Sequence, residues 1–159
     1  GIRHAFDYGT VAHSDDFLGR VAQASGRPIL AMTTPARPIE RVVVAYDGSV
    51  ASANALRAFG VLDGFSPSTI HVVHCEEDGV DSARLLDEGA NYLRLHGHDP
   101  RTVVVEGNPA DAILEHARSC EADLVVMGAV GRRGLSRLFL GDTASLALEQ
   151  SGIPLLIRS

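Results

Sequence analysis

Apolar residues along this chain fall into short continuous runs, and between the runs they recur every three or four positions. Runs of that length predict buried strands, and the three-to-four spacing predicts helices with one apolar face. Strands are expected at residues 42–45 (Val42-Val43-Val44-Ala45), 69–75, 102–105, 124–127 and 155–158. Helices are expected between them. Asp47-Gly48-Ser49 turns the first strand into a helix over residues 49–62, with Ala51, Ala55, Leu56 and Phe59 toward the sheet. A second helix at 80–96 carries Ala83, Leu86, Ala90 and Leu93 at helical spacing. A third starts from Asn108 as N-cap with Pro109 in its first position, and it buries Ile113, Leu114 and Ala117. A fourth is expected at 143–150. Strands apolar on both faces and alternating with helices predict an α/β fold, a mainly parallel, doubly wound sheet with helices on both faces.

The front of the chain carries a partial copy of its end. Ser14, Asp15 and Asp16 open a short helix over 14–25 with Phe17, Leu18 and Val21 on one face, and Ser25-Gly26-Arg27-Pro28 then leads into Ile29-Leu30-Ala31-Met32. Near the other end, Ser151-Gly152-Ile153-Pro154 leads into Leu155-Leu156-Ile157, and at the same offset Asp16 falls on Asp142. Residues 1–37 are therefore expected to be the last helix and strand of a degenerate first domain plus a proline-bearing linker, and 38–159 a complete domain. The first residue is Gly rather than Met, so the sequence reads as a piece of something longer.

Composition narrows the function classes. The 159 residues carry a net charge of −6 and no Lys/Arg block, which argues against a nucleic-acid surface. Arg3, Asp7, Asp15 and Asp16 stand where a signal peptide needs an apolar core, and no run approaches membrane-spanning length, so no membrane association and a cytoplasmic location are expected. Cys75 and Cys120 form no CxxC and read as reduced thiols. Seven histidines raise the question of a metal. His71 and His74, three apart on a strand, point to opposite faces; His96 and His98 straddle a turn, and His116 stands alone on its helix, so no metal site is expected. No GxxxxGK[ST] loop, GxSxG elbow or HExxH pair is present, which makes binding a safer expectation than catalysis.

The remaining chemistry lies in residues 124–143, LVVMGAVGRRGLSRLFLGDT. A strand breaks at Gly128, and Gly131, Gly134 and Gly141 follow before a helical pattern resumes. Glycines at a strand-to-helix junction admit a left-handed backbone and close approach of a ligand, and the helix N-terminus favours an anion. Gly128-x-x-Gly131, then nine residues, then Gly141 resembles the nucleotide loop of the universal stress protein family. VVVAYDGS is similar to that family's first strand and its loop Asp. The resemblance covers nearly the whole chain and implies a five-stranded sheet of order 3-2-1-4-5. It also implies an ATP or adenine-nucleotide pocket with Ala45, Asp47 and Val72 at one end and Met127, Gly128, Gly131, Gly141, Asp142 and Thr143 at the other, magnesium entering only with the nucleotide.

One position departs from that pattern. In the ATP-binding branch of the family the residue after the last glycine is Ser or Thr, whereas here it is Asp142. A carboxylate facing a triphosphate repels it, while an Asp at a helix start caps the very amides a phosphate would use. Two expectations follow: a non-catalytic ATP-binding regulator of stress response, or an interaction module whose phosphate site is closed by Asp142; Arg132, Arg133 and Arg137 either offset the carboxylate or, the more ordinary role, form a solvated charged loop. A third, nucleotide hydrolysis, would need a catalytic pair that the chain does not display. Asp47 has a plain alternative role as a turn residue bonding its own backbone, and Cys75 as a small buried hydrophobe. Members of the family pair fifth strands edge to edge. By that likeness residues 29–32 are expected to run antiparallel to 155–158, and the chain to form a homodimer through residues 1–34 and the fifth-strand edge.

Overall fold

The computed structural model of the protein describes residues 24–32, 38–62, 67, 69–129 and 152–159. The expected helix at 14–25, apart from helical Ala24 and Ser25, lies outside the described residues. So do the linker at 33–37, the glycine loop beyond Ala129 and the helix at 143–150.

The elements in chain order are β1 (Ile29–Ala31), β2 (Arg41–Ala45), α1 (Val50–Val61), β3 (Thr69–Cys75), α2 (Ser82–Leu95), β4 (Pro100–Val105), α3 (Pro109–Ser119), β5 (Leu124–Gly128) and β6 (Leu155–Arg158). They build one six-stranded sheet of order β1-β6-β5-β2-β3-β4. Counted from β2, the five parallel strands have the order 3-2-1-4-5. The sheet differs from the five-stranded expectation by β1, which adds antiparallel to β6 with Leu30 opposite Leu156. Leu30 and Leu156 are also counterparts in the sequence repeat, so a local two-fold passes between them. Gly26 and Gly152, the glycines of the two repeated turns, both take left-handed φ, 56° and 63°, which a residue with a Cβ adopts at a cost.

Each of the helices α1, α2 and α3 is capped by a side chain at its start. Ser49, Asp81 and Asn108 accept hydrogen bonds from the first-turn amides of α1, α2 and α3, and Pro109 fills a first-turn position whose N–H would have no helical partner. The central strands are buried on both faces because helices cover both. On one face α1 and α2 pack Ala55, Leu56, Phe59, Leu86 and Leu93 onto Val42, Val44, Val72 and Val126. On the other, α3 packs Ala110, Ile113 and Ala117 onto Val43, Val73 and Val125. Ala83, expected on the buried stripe of α2, is exposed. The helix begins only at Ser82, so its first turn lies short of the packed stripe, which Leu86, Gly89, Ala90 and Leu93 form instead.

Candidate functional site

The order of the strands creates a crevice. From β2 the chain moves through α1 to β3 and β4 on one side, then returns through α3 to β5 on the other side of β2. β3 thus lies on one side of β2, and β5 and β6 lie on the other, so the switch point falls between the carboxyl ends of β2 and β5, where an open parallel sheet receives a ligand. Asp47 follows the end of β2 and Gly128 ends β5.

Local chemistry fixes the β2 side. The Ser49 backbone N–H donates to Asp47 Oδ1 at 2.9 Å, so the carboxylate braces its own turn. Ser49 Oγ accepts from Ser52 N at 3.1 Å and caps α1. Tyr46 N donates to the Val73 carbonyl at 2.9 Å, while His74 Nδ1 lies 3.1 Å from the Tyr46 carbonyl, which makes Nδ1 the protonated nitrogen. His74 Nε2 is buried with no hydrogen-bond partner among the described residues. Burial, then the nearby Glu88 carboxylate, pushes the Tyr46 hydroxyl pKa up from its ordinary value.

On the β5 side, Gly128 is held against the start of α1. A Cβ built on it would lie 2.6 Å from Ser52 N and 2.7 Å from the Ala51 carbonyl carbon. Gly128 is thus a packing glycine, whatever else it does. Ala129 N donates to the Arg158 carbonyl at 2.7 Å, tying the strand end to β6.

The structure brings Ala45, Asp47, Met127 and Gly128 to the ends of two adjacent strands. Val72 is placed differently. Ala45 is the partner of Val73, so Val72 faces the α1–α2 layer, while Ala45 and Met127 face the α3 layer. At the mouth, β3 ends in Cys75, which shares the face of Ala45 by the alternation of side chains along a strand. Its thiol donates weakly to the Gly107 carbonyl at 3.4 Å, and burial with Glu76 and Glu77 beside it raises its pKa. Gly131, Gly141, Asp142 and Thr143 lie outside the described residues.

A second cluster lies elsewhere on the α3 face. His116, expected to stand alone on its helix, has His71 Nδ1 2.9 Å from its Nε2 and its ring tilted against the His71 ring, with centroids 5.1 Å apart. Strand β3 and helix α3 are far apart in sequence, and only their packing across the sheet face makes the pair. Burial, then His116, then Arg101 lower the His71 pKa; burial lowers that of His116. Cys120, one helical turn beyond His116, completes the group, and its thiol pKa is raised, chiefly by burial. The legible signal for this cluster was His116-x-x-x-Cys120, a four-residue spacing that puts both side chains on one helix face.

An open α/β sheet with a crevice at its switch point is the frame of many ligand-binding domains. Comparison narrows the class. Residues 38–158 match the universal stress protein family. The chain is 41% identical over 82 residues to a universal stress protein of Methanocaldococcus jannaschii, covering 52% of this chain and 46% of that protein. With one from Synechocystis it shares 24% identity over 141 residues, covering 87% of this chain and 49% of the other. The chain thus spans about half the length of these relatives. Among solved structures, a universal stress protein from Archaeoglobus fulgidus superposes with a TM-score of 0.65 at 23% identity, over 84% of this chain and 50% of that one. One in complex with cAMP gives 0.59 at 24% identity, over 77% and 98%. An AMP-bound family member from Arabidopsis thaliana gives 0.54 at 17% identity, over 75% and 90%. The chain belongs to the universal stress protein family.

Proposed function

We propose that the domain binds an adenine nucleotide, ATP, in the crevice between β2 and β5 and acts as a non-catalytic, ATP-responsive regulator of stress response in the cytoplasm. Asp47 and Gly128 carry the proposal, because they stand at the ends of adjacent strands where the topology reverses. Relatives of the same fold hold AMP or cAMP. In this reading Ala45, Asp47 and the β3 backbone past Val72 receive the adenosine. Met127, Gly128, Gly131, Gly141, Asp142 and Thr143 surround the phosphates, and magnesium accompanies the nucleotide. Asp47, Glu76 and Glu77 make the strand ends acidic, so in this reading magnesium together with Arg132, Arg133 and Arg137 supplies the counter-charge for the phosphates.

Mass analysis of nucleotide released from the purified protein tests this directly, with adenine nucleotide expected near one per chain. Asp142→Ser is expected to tighten ATP several-fold in titration calorimetry, since removing a like charge beside a partly exposed phosphate is worth on the order of 1 kcal/mol. Equal affinities would place the carboxylate away from the phosphates. No nucleotide on either protein would favour the other reading, an interaction module closed by Asp142.

We also propose that residues 1–37 are the remnant of a first domain and that the chain forms a homodimer through residues 1–34 and the fifth-strand edge. The local two-fold between Leu30 and Leu156 supports the repeat. Leu30 and Met32, 43% and 40% exposed at the sheet margin, offer apolar surface to a second copy.

A further inference from the structure

Helix α3 runs against the direction of the strands beneath it. Gly107, just ahead of α3, touches Cys75 at the carboxyl end of β3, whereas His116, near its C-terminus, touches His71 in the first half of β3. His71, His116 and Cys120 therefore sit toward the opposite end of the sheet from the crevice, and the proposed nucleotide does not involve them. All three are half-buried, and their Nδ1/Nε2 and Sγ atoms lie within 4.8 Å of one another.

We propose that His71, His116 and Cys120 form a zinc site, with water as the fourth ligand. Two imidazoles and one thiolate are the donor set of a borderline-soft divalent ion. His116 stands in the last turn of α3, Cys120 is the residue that caps its C-terminus, and His71 rises from the strand below, so the donors converge from the end of one helix and from one strand. Tetrahedral zinc sets its ligand atoms roughly 3.3–3.6 Å apart, from metal–nitrogen distances near 2.0 Å and metal–sulfur near 2.3 Å. The histidine nitrogens, now 2.9 Å apart, need to part by only a few tenths of an ångström. The metal-free pair shares one proton between His71 Nδ1 and His116 Nε2. On binding, that proton moves to an outer ring nitrogen, neither of which is a buried atom without a partner. The Cys120 thiol proton leaves to solvent as the zinc–sulfur bond forms. Half-burial leaves one side of the cluster to solvent, which gives the fourth position to water. Met127, the one thioether placed on this face of the sheet, stands at the far end of β5, so the described residues supply no axial sulfur for a copper centre. Arg101 beside His71 opposes a cation but is exposed and free to turn outward; Arg41 near Cys120 is balanced by Asp123, whose Oδ2 lies 3.8 Å from its Nε.

The test uses the full chain, stripped with a chelator and titrated with cobalt(II) as a spectroscopic substitute for zinc. A thiolate-to-cobalt charge-transfer band in the near ultraviolet and intense visible bands of four-coordinate cobalt are expected, both bleached by one equivalent of zinc. The thiolate band should vanish in Cys120→Ser and persist in Cys75→Ser. In His71→Gln, zinc affinity should fall at least 100-fold, since loss of a mere outer-shell partner already costs about 10–100-fold. Circular dichroism of each variant confirms that it is folded, and His116→Gln provides a second ligand deletion should His71→Gln fail that check. A parent protein without the charge-transfer band, or a band unchanged in Cys120→Ser, overturns the site.

Discussion

Gly128→Ala asks whether the first glycine of the loop serves packing or ligand. The added Cβ would come 2.6 Å from Ser52 N, 2.7 Å from the Ala51 carbonyl carbon and 2.9 Å from Ala51 Cβ. Ordinary contact begins at 3.4 Å, so the nearest atom is about 0.8 Å too close. The two nearest atoms are backbone in the first turn of α1 and the third, Ala51 Cβ, is fixed to that backbone, so no rotamer change relieves them. The helix itself must shift, but Ala51, Ser52, Ala55, Leu56 and Phe59 hold it in the core, and Ser49 Oγ caps the same amide that the new methyl strikes. Overpacking of this kind costs about 1–3 kcal/mol, and displacing the cap adds about 1 kcal/mol. For a domain of this size, the sum of about 2–4 kcal/mol lowers the melting temperature by roughly 4–16 °C. Calorimetry or circular dichroism on nucleotide-free protein measures it. A melting temperature within about 1 °C of the parent would refute the reasoning, because it would mean that β5 and α1 do not meet as closely as described.

Two further outcomes are expected. Deleting residues 1–36 should convert a dimer into a monomer by light scattering; a truncated chain that stays dimeric, or a parent that is already monomeric, would end the assembly proposal. In metal-free protein, burial lowers the folded-state pKa values of His71 and His116, with His116 and Arg101 adding to the effect on His71, so the unfolded chain binds protons more readily than the folded one. That contribution to stability is intact above the unfolded value of about 6.5 and is lost as pH falls through the lowered folded values. The urea midpoint should therefore fall from pH 7 to pH 5, and less steeply in His71→Gln; an equal slope in the variant would assign the acid sensitivity elsewhere.

Local signals were enough for the elements themselves. The apolar runs at β2, β3, β5 and β6, the caps Ser49 and Asn108, and Pro109 at the start of α3 all act within a few residues of where they stand, so reading them required no tertiary information. Alternation of strand and helix then implied a parallel sheet; the SGxP repeat marked β1 and β6 as counterparts, and the family's edge-to-edge pairing of fifth strands pointed to β1 against β6. Side-chain parity was harder. Whether Val72 or Val73 stands beside Ala45 depends on the register between β2 and β3, and a shift of one residue moves a side chain to the other face. Gly128 looked like a ligand glycine, since only the packing of α1 against β5 reveals the backbone that a Cβ would strike. His116 read as solitary because its partner is 45 residues away; α3 lying across the first half of β3 is what closes that distance to 2.9 Å. Sequence determines the elements because propensity, capping and apolar period act locally. The two sites depend on crossings of the sheet, and those were decided when the helices packed onto its faces.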